Sequence, residues 1–135
     1  MSIIVDSSVT LAWVIQDERS ASTERILSMV VDNGAWVPTI WRLEVVNGMQ
    51  QAMKRRRLDQ KGRNEAIIDL SNLNILVDPD TNTFAWTHTV ELADRFALTS
   101  YDASYLELAH RRALPLATLD QELRAAGKKL GISVL

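Results

Sequence analysis

The sequence predicts an α/β sandwich in which helices cover both faces of a short, central, parallel sheet. Apolar runs of three or four residues alternate with segments of helical length and helical periodicity. Such runs are typical of strands buried on both faces. The alternation is the order expected for right-handed βαβ crossovers. A length of 135 residues suits one hydrophobic core. We therefore expect residues 1–135 to form a single three-layer α/β/α domain.

Short apolar runs and turn signals place each element in order. The predicted strands are residues 2–5, 35–37, 75–77, 116–118 and 132–135. Helical patterns predict one helix that Asp6, Ser7 or Ser8 can cap, followed by helices at 20–31, 40–56, 60–73, 81–97, 102–112 and 121–129. Gly34 stops the second helix, and Pro38 and Pro79 end the second and third strands.

The helix at 40–56 has more apolar surface than one buried stripe requires. Trp41, Val45 and Met49 fall on one face at the helical period, whereas Leu43 and Val46 point elsewhere. We expect this second apolar face to pack on another helix or on a second subunit.

Four acidic residues occupy comparable places along the chain. Asp6 follows the first strand, Asp120 follows the fourth, and Asp102 opens the helix that leads back to the fourth. Glu44 lies beside the apolar stripe of its helix. Functional sites of open α/β sheets collect beyond the carboxyl ends of the strands. Each acid alone could be a helix cap worth about 1 kcal/mol, or a solvated residue. Together they predict one acidic site.

Convergence of four carboxylates has a physical consequence. Two carboxylates about 5 Å apart repel by roughly 3 kcal/mol at an effective dielectric near 20. Four could not all stay ionised without raised pKa values or a bound cation. Oxygen ligands suit Mg²⁺ or Mn²⁺, and such a site can activate water for attack on a phosphodiester. This pattern favours phosphodiester hydrolysis but does not identify RNA as the substrate.

Composition excludes several other classes of protein. The chain has no cysteine, so it can form neither a disulfide nor a thiolate metal site. No apolar run approaches the roughly 18–20 residues of a membrane span. We expect no signal sequence, because the first residues already read as a strand. We expect a cytoplasmic protein without membrane contact. The net charge of −2 argues against a broadly basic nucleic-acid binder.

At these residues the chain resembles PIN-domain proteins, and specifically toxin ribonucleases of the VapC family. The resemblance covers nearly the whole chain in the expected order. It is carried by Val5-Asp6-Ser7-Ser8, by Pro38 with Glu44-Val45 and Asn47, by Tyr101-Asp102-Ala103 with Tyr105-Leu106, and by Thr118-Leu119-Asp120 with Leu123. The segment 54–74 matches nothing specific, so substrate selection does not follow from the resemblance.

The resemblance implies an Mg²⁺-dependent endoribonuclease, with Mn²⁺ as a substitute. Asp6, Glu44 and Asp102 would be the main metal ligands, and Asp120 would complete the cluster or hold a second ion. The hydroxyls of Ser7 and Thr118 would orient these carboxylates. Family members usually form homodimers and are inhibited by a cognate antitoxin protein encoded beside them.

Other features admit two interpretations. The basic run Lys54-Arg55-Arg56-Arg57 could contact RNA phosphates, or it could be the solvated end of a helix, where cations are favoured. The alternative to an enzyme is a non-catalytic PIN-like module that binds protein. A phosphatase built on Asp6 is disfavoured, because Ser8 stands where that chemistry wants a second aspartate.

Overall fold

In the computed structural model, which describes residues 1–135, four short strands form one parallel sheet. The strands are β1 (Ile3–Val5), β2 (Ala35–Val37), β3 (Ile75–Val77) and β4 (Leu116–Ala117). Their order across the sheet is β3-β2-β1-β4. All three pairings are parallel. The predicted α/β/α sandwich with a short parallel sheet is confirmed.

Eight α-helices surround the sheet. They are α1 (Ser7–Val14), α2 (Ala21–Asn33), α3 (Trp41–Lys54), α4 (Gln60–Ser71), α5 (Thr81–Phe84), α6 (His88–Phe96), α7 (Ser100–Arg112) and α8 (Gln121–Lys129). A single 3₁₀ turn, Gln16–Glu18, separates α1 from α2. No helix has the length and apolar character needed to cross a lipid bilayer.

The register of the sheet brings the ends of β1 and β4 to the same level. Ile4 pairs with Leu116, and Val5 pairs with Ala117. The residues that follow, Asp6 and Thr118, therefore leave the sheet side by side. Because all strands are parallel, the helices that follow them begin at this same carboxyl edge.

The core is built around α7, the most deeply buried helix. All seven residues from Ala103 to Ala109 are buried, and the helix contacts β1, β4, α6 and α8. Tyr105 and Leu106 are among the largest fully buried side chains. A helix buried on all sides places its first turn at a fixed position relative to the sheet.

Two predicted elements differ in the structure. The single helix expected at 81–97 is two helices, α5 and α6, because the backbone leaves helical geometry at Thr87 (φ −119°, ψ −93°). Threonine has low helix propensity, and four threonines lie between residues 81 and 89. The strand expected at 132–135 is wrong, since only a single bridge joins Val134 to Leu116.

A buried network of ion pairs lies directly after β3, at Asp78. The fully buried carboxylate of Asp78 accepts hydrogen bonds from both Arg111 and Arg112 at the end of α7, the shortest at 2.7 and 2.8 Å. Arg111 also pairs with the buried Glu107 at 2.8 Å. Burial alone would raise the pKa of Asp78, but the hydrogen bonds from the two arginines lower it below its ordinary value. The network ties α7 to the sheet.

Candidate active site

All four predicted acids lie at helix N-termini. Asp6 is the N-cap of α1 and Asp120 is the N-cap of α8. Glu44 lies in the first turn of α3 and Asp102 in the first turn of α7. The partial positive charge of a helix N-terminus stabilises a carboxylate. Parallel βα units thus collect four helix N-termini, each with one acid, at the carboxyl edge of the sheet.

Two of these acids, Asp6 and Asp120, also have a structural role as helix caps. Asp6 accepts a hydrogen bond from the Val9 amide at 3.0 Å, and Asp120 accepts one from the Leu123 amide at 2.8 Å. Asp102 does not open its helix as predicted, because α7 begins at Ser100 and Thr99 is its cap. Capping therefore explains neither Asp102 nor Glu44.

The four carboxylates lie close enough to repel one another. Burial is the largest cause that raises the pKa of Asp102 to about 6, followed by the charges of Asp120, Glu44 and Asp6. Burial also raises the pKa of Glu44, to which the charge of Asp6 adds. The pKa of Asp6 is raised by burial and by Asp120, against the hydrogen bonds that it accepts. The structure thus brings together all four acids singled out in the sequence.

Two hydroxyls hold Asp6 in place. Ser8 donates to Asp6 Oδ1 at 2.6 Å, and the buried Thr118 donates to Asp6 Oδ2. Thr118 therefore has the orienting contact expected of it. Ser7, which was expected to orient one of the four carboxylates, forms no hydrogen bond to any of them and instead lies beside the hydroxyl of Tyr105. The orienting serine is the next residue along the chain.

The same hydroxyls join the two halves of the site. The Ser8 hydroxyl accepts a hydrogen bond from the Leu119 amide, and the Thr118 hydroxyl accepts one from the Asp120 amide, both at 3.0 Å. Each hydroxyl thus connects the segment after β1 to the segment after β4. Asp6 and Asp120 are held in a fixed relation by these bridges.

Glu44 is held from a different helix. The Tyr105 hydroxyl on α7 donates to Glu44 Oε1 at 2.6 Å. The start of α3 is fixed by the indole of Trp41, which donates to Thr10 Oγ1 at 3.0 Å, while Thr10 donates to the Asp6 carbonyl at 2.8 Å. Sequence reasoning assigned no role to Tyr105 or Thr10. In a sequence, both read as ordinary residues of apolar helices.

The donor set has the chemistry of a site for a hard divalent cation. It offers carboxylate oxygens only, and the second oxygens of Glu44 and Asp120 accept no hydrogen bond from the protein. No three of the acidic or histidine side chains lie close enough together in this structure to hold a metal ion as they stand. Mg²⁺ retains several of its waters and does not need an all-protein cage. The chemistry of the donors, rather than a preformed cluster, is therefore what fits a partly hydrated cation.

Asp102→Asn is expected to stabilise the metal-free protein at neutral pH. The raised pKa of Asp102 means that the fold favours its neutral form, so its contribution to stability is full below about pH 4 and is lost as pH rises through about 6. After allowance for solvent screening, the gain at pH 7.5 is about 1 kcal/mol, a few degrees in Tm. Melting curves in EDTA would show a higher Tm at pH 7.5 and no gain at pH 4. An unchanged or lower Tm at pH 7.5 would contradict the repulsion.

The basic run lies away from the acids. Lys54 is the last residue of α3, ten residues beyond Glu44, or about 15 Å along the helix axis. Arg57 is engaged by Asp17, with contacts of 2.8 and 3.2 Å, and by Glu18 at 3.5 Å. Lys54, Arg55 and Arg56 are exposed and form no ion pair. Three cations are thus available to a ligand on this side of the molecule.

Comparison with known proteins identifies the family. Residues 3–129 match the PIN domain, and the chain belongs to the PIN-domain family. PIN domains are generally nucleases and typically use divalent metal ions. No curated protein sequence matches the chain.

Three solved structures share the fold. The crystal structure of PAE2754 from Pyrobaculum aerophilum is similar with a TM-score of 0.71 and 24% identity, over 99% of this chain and 83% of that one. The crystal structure of VapBC2 from Rickettsia felis, bound to a DNA fragment from the VapBC2 promoter, has a TM-score of 0.64 and 14% identity. The similarity covers 100% of this chain and 98% of that one. FitAcB from Neisseria gonorrhoeae has a TM-score of 0.66 and 16% identity, over 98% and 96%.

Proposed function

We propose that this chain is a metal-dependent endoribonuclease that acts as the toxin of a toxin–antitoxin pair. The observation that carries the proposal is the convergence of Asp6, Glu44, Asp102 and Asp120 at the carboxyl edge of the sheet. A PIN domain that only bound protein would gain nothing from the burial and mutual repulsion that raise the pKa values of Asp102, Glu44 and Asp6. Resemblance to VapC toxins supports RNA as the substrate.

Each residue has a distinct part in the proposed reaction. Asp6, Glu44 and Asp102 would be the main ligands of Mg²⁺ or Mn²⁺, and Asp120 would complete the cluster or hold a second ion. Ser8 and Thr118 keep the Asp6 carboxylate from rotating. When bound, the cation supplies charge neutralisation at the phosphodiester and lowers the pKa of an attacking water. The helix N-termini at this edge favour the anionic backbone of the substrate.

Cleavage of RNA by the purified protein tests the proposal. We expect 5′-labelled RNA to be cut in the presence of Mg²⁺ or Mn²⁺ and to remain intact in EDTA, because the four acids need a cation to bind a polyanion. Inducible expression should slow growth and create new RNA ends. The same culture expressing Asp6→Ala should show neither effect.

The alternative is a non-catalytic PIN-like module that binds protein. It would be favoured by measured Mn²⁺ binding with no cleavage of any RNA pool and with unchanged growth. Cleavage that survived both Asp6→Ala and Asp102→Ala in pure protein would exclude the proposed site.

The proposal includes two protein partners, a second copy of the chain and an antitoxin, and a location in the cytoplasm. Leu43 and Val46 on α3 stay 73% and 41% exposed, so the second apolar face of this helix is not covered within the chain. A second copy covering this face would make the homodimer expected for the family, and analytical ultracentrifugation at micromolar concentration would detect it. The proposed antitoxin, made beside the toxin in the cytoplasm, should co-purify with the chain and suppress cleavage.

RNA contact by the basic run is a separate prediction. Replacing Lys54, Arg55 and Arg56 by glutamine should raise the KM for RNA about tenfold at physiological salt, because three phosphate contacts are lost. The slope of log affinity against log salt should fall by about 2. The matched control removes three exposed cations elsewhere, Arg25, Lys128 and Lys129. Equal effects from both triple variants would show that only net charge matters.

A further inference from the structure

Tyr105 is a buried phenol whose hydroxyl lies among the acids. Its side chain is 1% exposed and sits in the buried middle of α7. The hydroxyl donates to Glu44 Oε1 at 2.6 Å, across 61 residues of sequence. No other protein hydrogen bond to the Glu44 carboxylate is present. The one direct restraint on this carboxylate therefore comes from α7.

Core packing alone does not account for a tyrosine at this position. Phenylalanine would fill the same space without a polar group, and a buried hydroxyl is costly unless it finds a partner. A phenol donates a single hydrogen bond, so it engages one oxygen of Glu44 and leaves the other free. The contact thus fixes the carboxylate without consuming its capacity as a ligand.

The restraint matters because the Glu44 side chain is only partly buried and no other hydrogen bond holds its carboxylate. Trp41 and Thr10 fix the backbone at the start of α3, but they do not touch the Glu44 side chain. Glutamate has three side-chain torsions, and Leu43 and Asn47 beside it on α3 are exposed. Repulsion from Asp6 and Asp102 would turn an unrestrained carboxylate outward into water.

We propose that Tyr105 is a positioning residue that holds Glu44 in the acidic cluster, so that its second oxygen would remain available as a ligand for the cation. This inference rests on the proposed function for the identity of the cation site. Its structural premise, the contact between α7 and α3, does not depend on cleavage. Metal affinity can therefore be measured apart from the reaction.

The two tyrosines of the chain provide a matched test. Tyr105→Phe and Tyr101→Phe each remove one hydroxyl from the same helix, one turn apart, and Tyr101 is exposed. Mn²⁺ affinity, measured by calorimetry and by electron paramagnetic resonance, should fall about tenfold in Tyr105→Phe and stay unchanged in Tyr101→Phe. In RNA cleavage, kcat should fall in Tyr105→Phe with KM for RNA unchanged. A lower Tm with unchanged Mn²⁺ affinity would show a merely structural role and overturn the proposal.

Glu44→Asp completes a double-mutant cycle. It shortens the side chain by one methylene, out of reach of the Tyr105 hydroxyl, and should also weaken Mn²⁺ binding. Tyr105→Phe should then add less than a twofold further loss in the Glu44→Asp background. A full tenfold loss there would overturn the proposal, since Tyr105 would act on something else. If Tyr105→Phe does not fold, unchanged Mn²⁺ affinity in Glu44→Asp would overturn it instead.

The outcome also separates this inference from the proposed function. Wild-type protein that binds Mn²⁺ but cleaves no RNA would overturn the ribonuclease, and the Mn²⁺ titrations would still decide the role of Tyr105. Wild-type protein that binds no Mn²⁺ would overturn both.

Discussion

Asp102→Asn is expected to reduce RNA cleavage by about 10³-fold or more while the protein stays folded. The change removes one charge from the proposed cation site and keeps the size of the side chain. Stabilisation by a catalytic cation is worth several kcal/mol, and about 4 kcal/mol corresponds to a factor of 10³ in rate. Single-turnover cleavage of labelled RNA at saturating Mg²⁺ measures the loss.

Asp94→Asn is the control for this change. Asp94 is an exposed acid on α6 and does not contribute to the pKa shifts of the cluster, so its replacement should leave the rate unchanged. Because Asp102→Asn should also raise the Tm of the metal-free protein, lost activity could not be ascribed to unfolding. A rate within tenfold of wild type would remove Asp102 from the proposed site.

Asp78→Ala is expected to destabilise the fold by about 3 kcal/mol. The change leaves Arg111 and Arg112 without their shared carboxylate and the Asp80 amide without its acceptor. Breaking a buried ion pair costs about 3–5 kcal/mol, and the partial exposure of the two guanidinium groups places this case at the lower end. Urea unfolding followed by circular dichroism measures the difference.

The pH dependence of this effect has a definite sign. Because the pKa of Asp78 is lowered in the fold, its contribution is present above about pH 4 and is lost as pH falls further. Asp17→Ala is the control, since it breaks the exposed pair with Arg57, and it should leave the urea midpoint unchanged. Equal urea midpoints for Asp78→Ala and wild type would contradict this prediction, because they would show that water hydrates Arg111 and Arg112 at no cost when the carboxylate is removed.

Local patterns were sufficient for most of the fold. Strands β1, β2 and β3 were predicted within one residue, because each is a short apolar run with a turn signal after it. The apolar pattern gave a wrong prediction in two segments, 81–97 and 132–135. Threonines around Thr87 break a helix whose apolar spacing looks continuous, and the last residues of the chain form one bridge instead of a strand.

Three of the four acids could be found from sequence because they follow or precede strands of a parallel sheet, whereas Glu44 was singled out beside the apolar stripe of its helix and by the resemblance to PIN-domain proteins. The hydrogen bonds that hold the four acids in place could not be predicted from the sequence. Ser7 and Ser8 are chemically identical neighbours, and only the turn of the backbone after β1 decides that Ser8 faces Asp6. Nothing in the spacing of Tyr105 and Glu44, 61 residues apart, indicates that their side chains meet.

The sequence by itself determined the sandwich, its parallel sheet and the places of Asp6 and Asp120 after the first and fourth strands, since these follow from periodicity and turn signals within a few residues. The tertiary structure alone decided which hydroxyls restrain the acids, and that Arg57 is engaged by Asp17 while its neighbours stay free. It also decided that the middle of α7 is buried on all sides and that this helix carries both Asp102 and the tyrosine that holds Glu44. These contacts join distant segments, and their geometry depends on how whole helices pack rather than on any local preference.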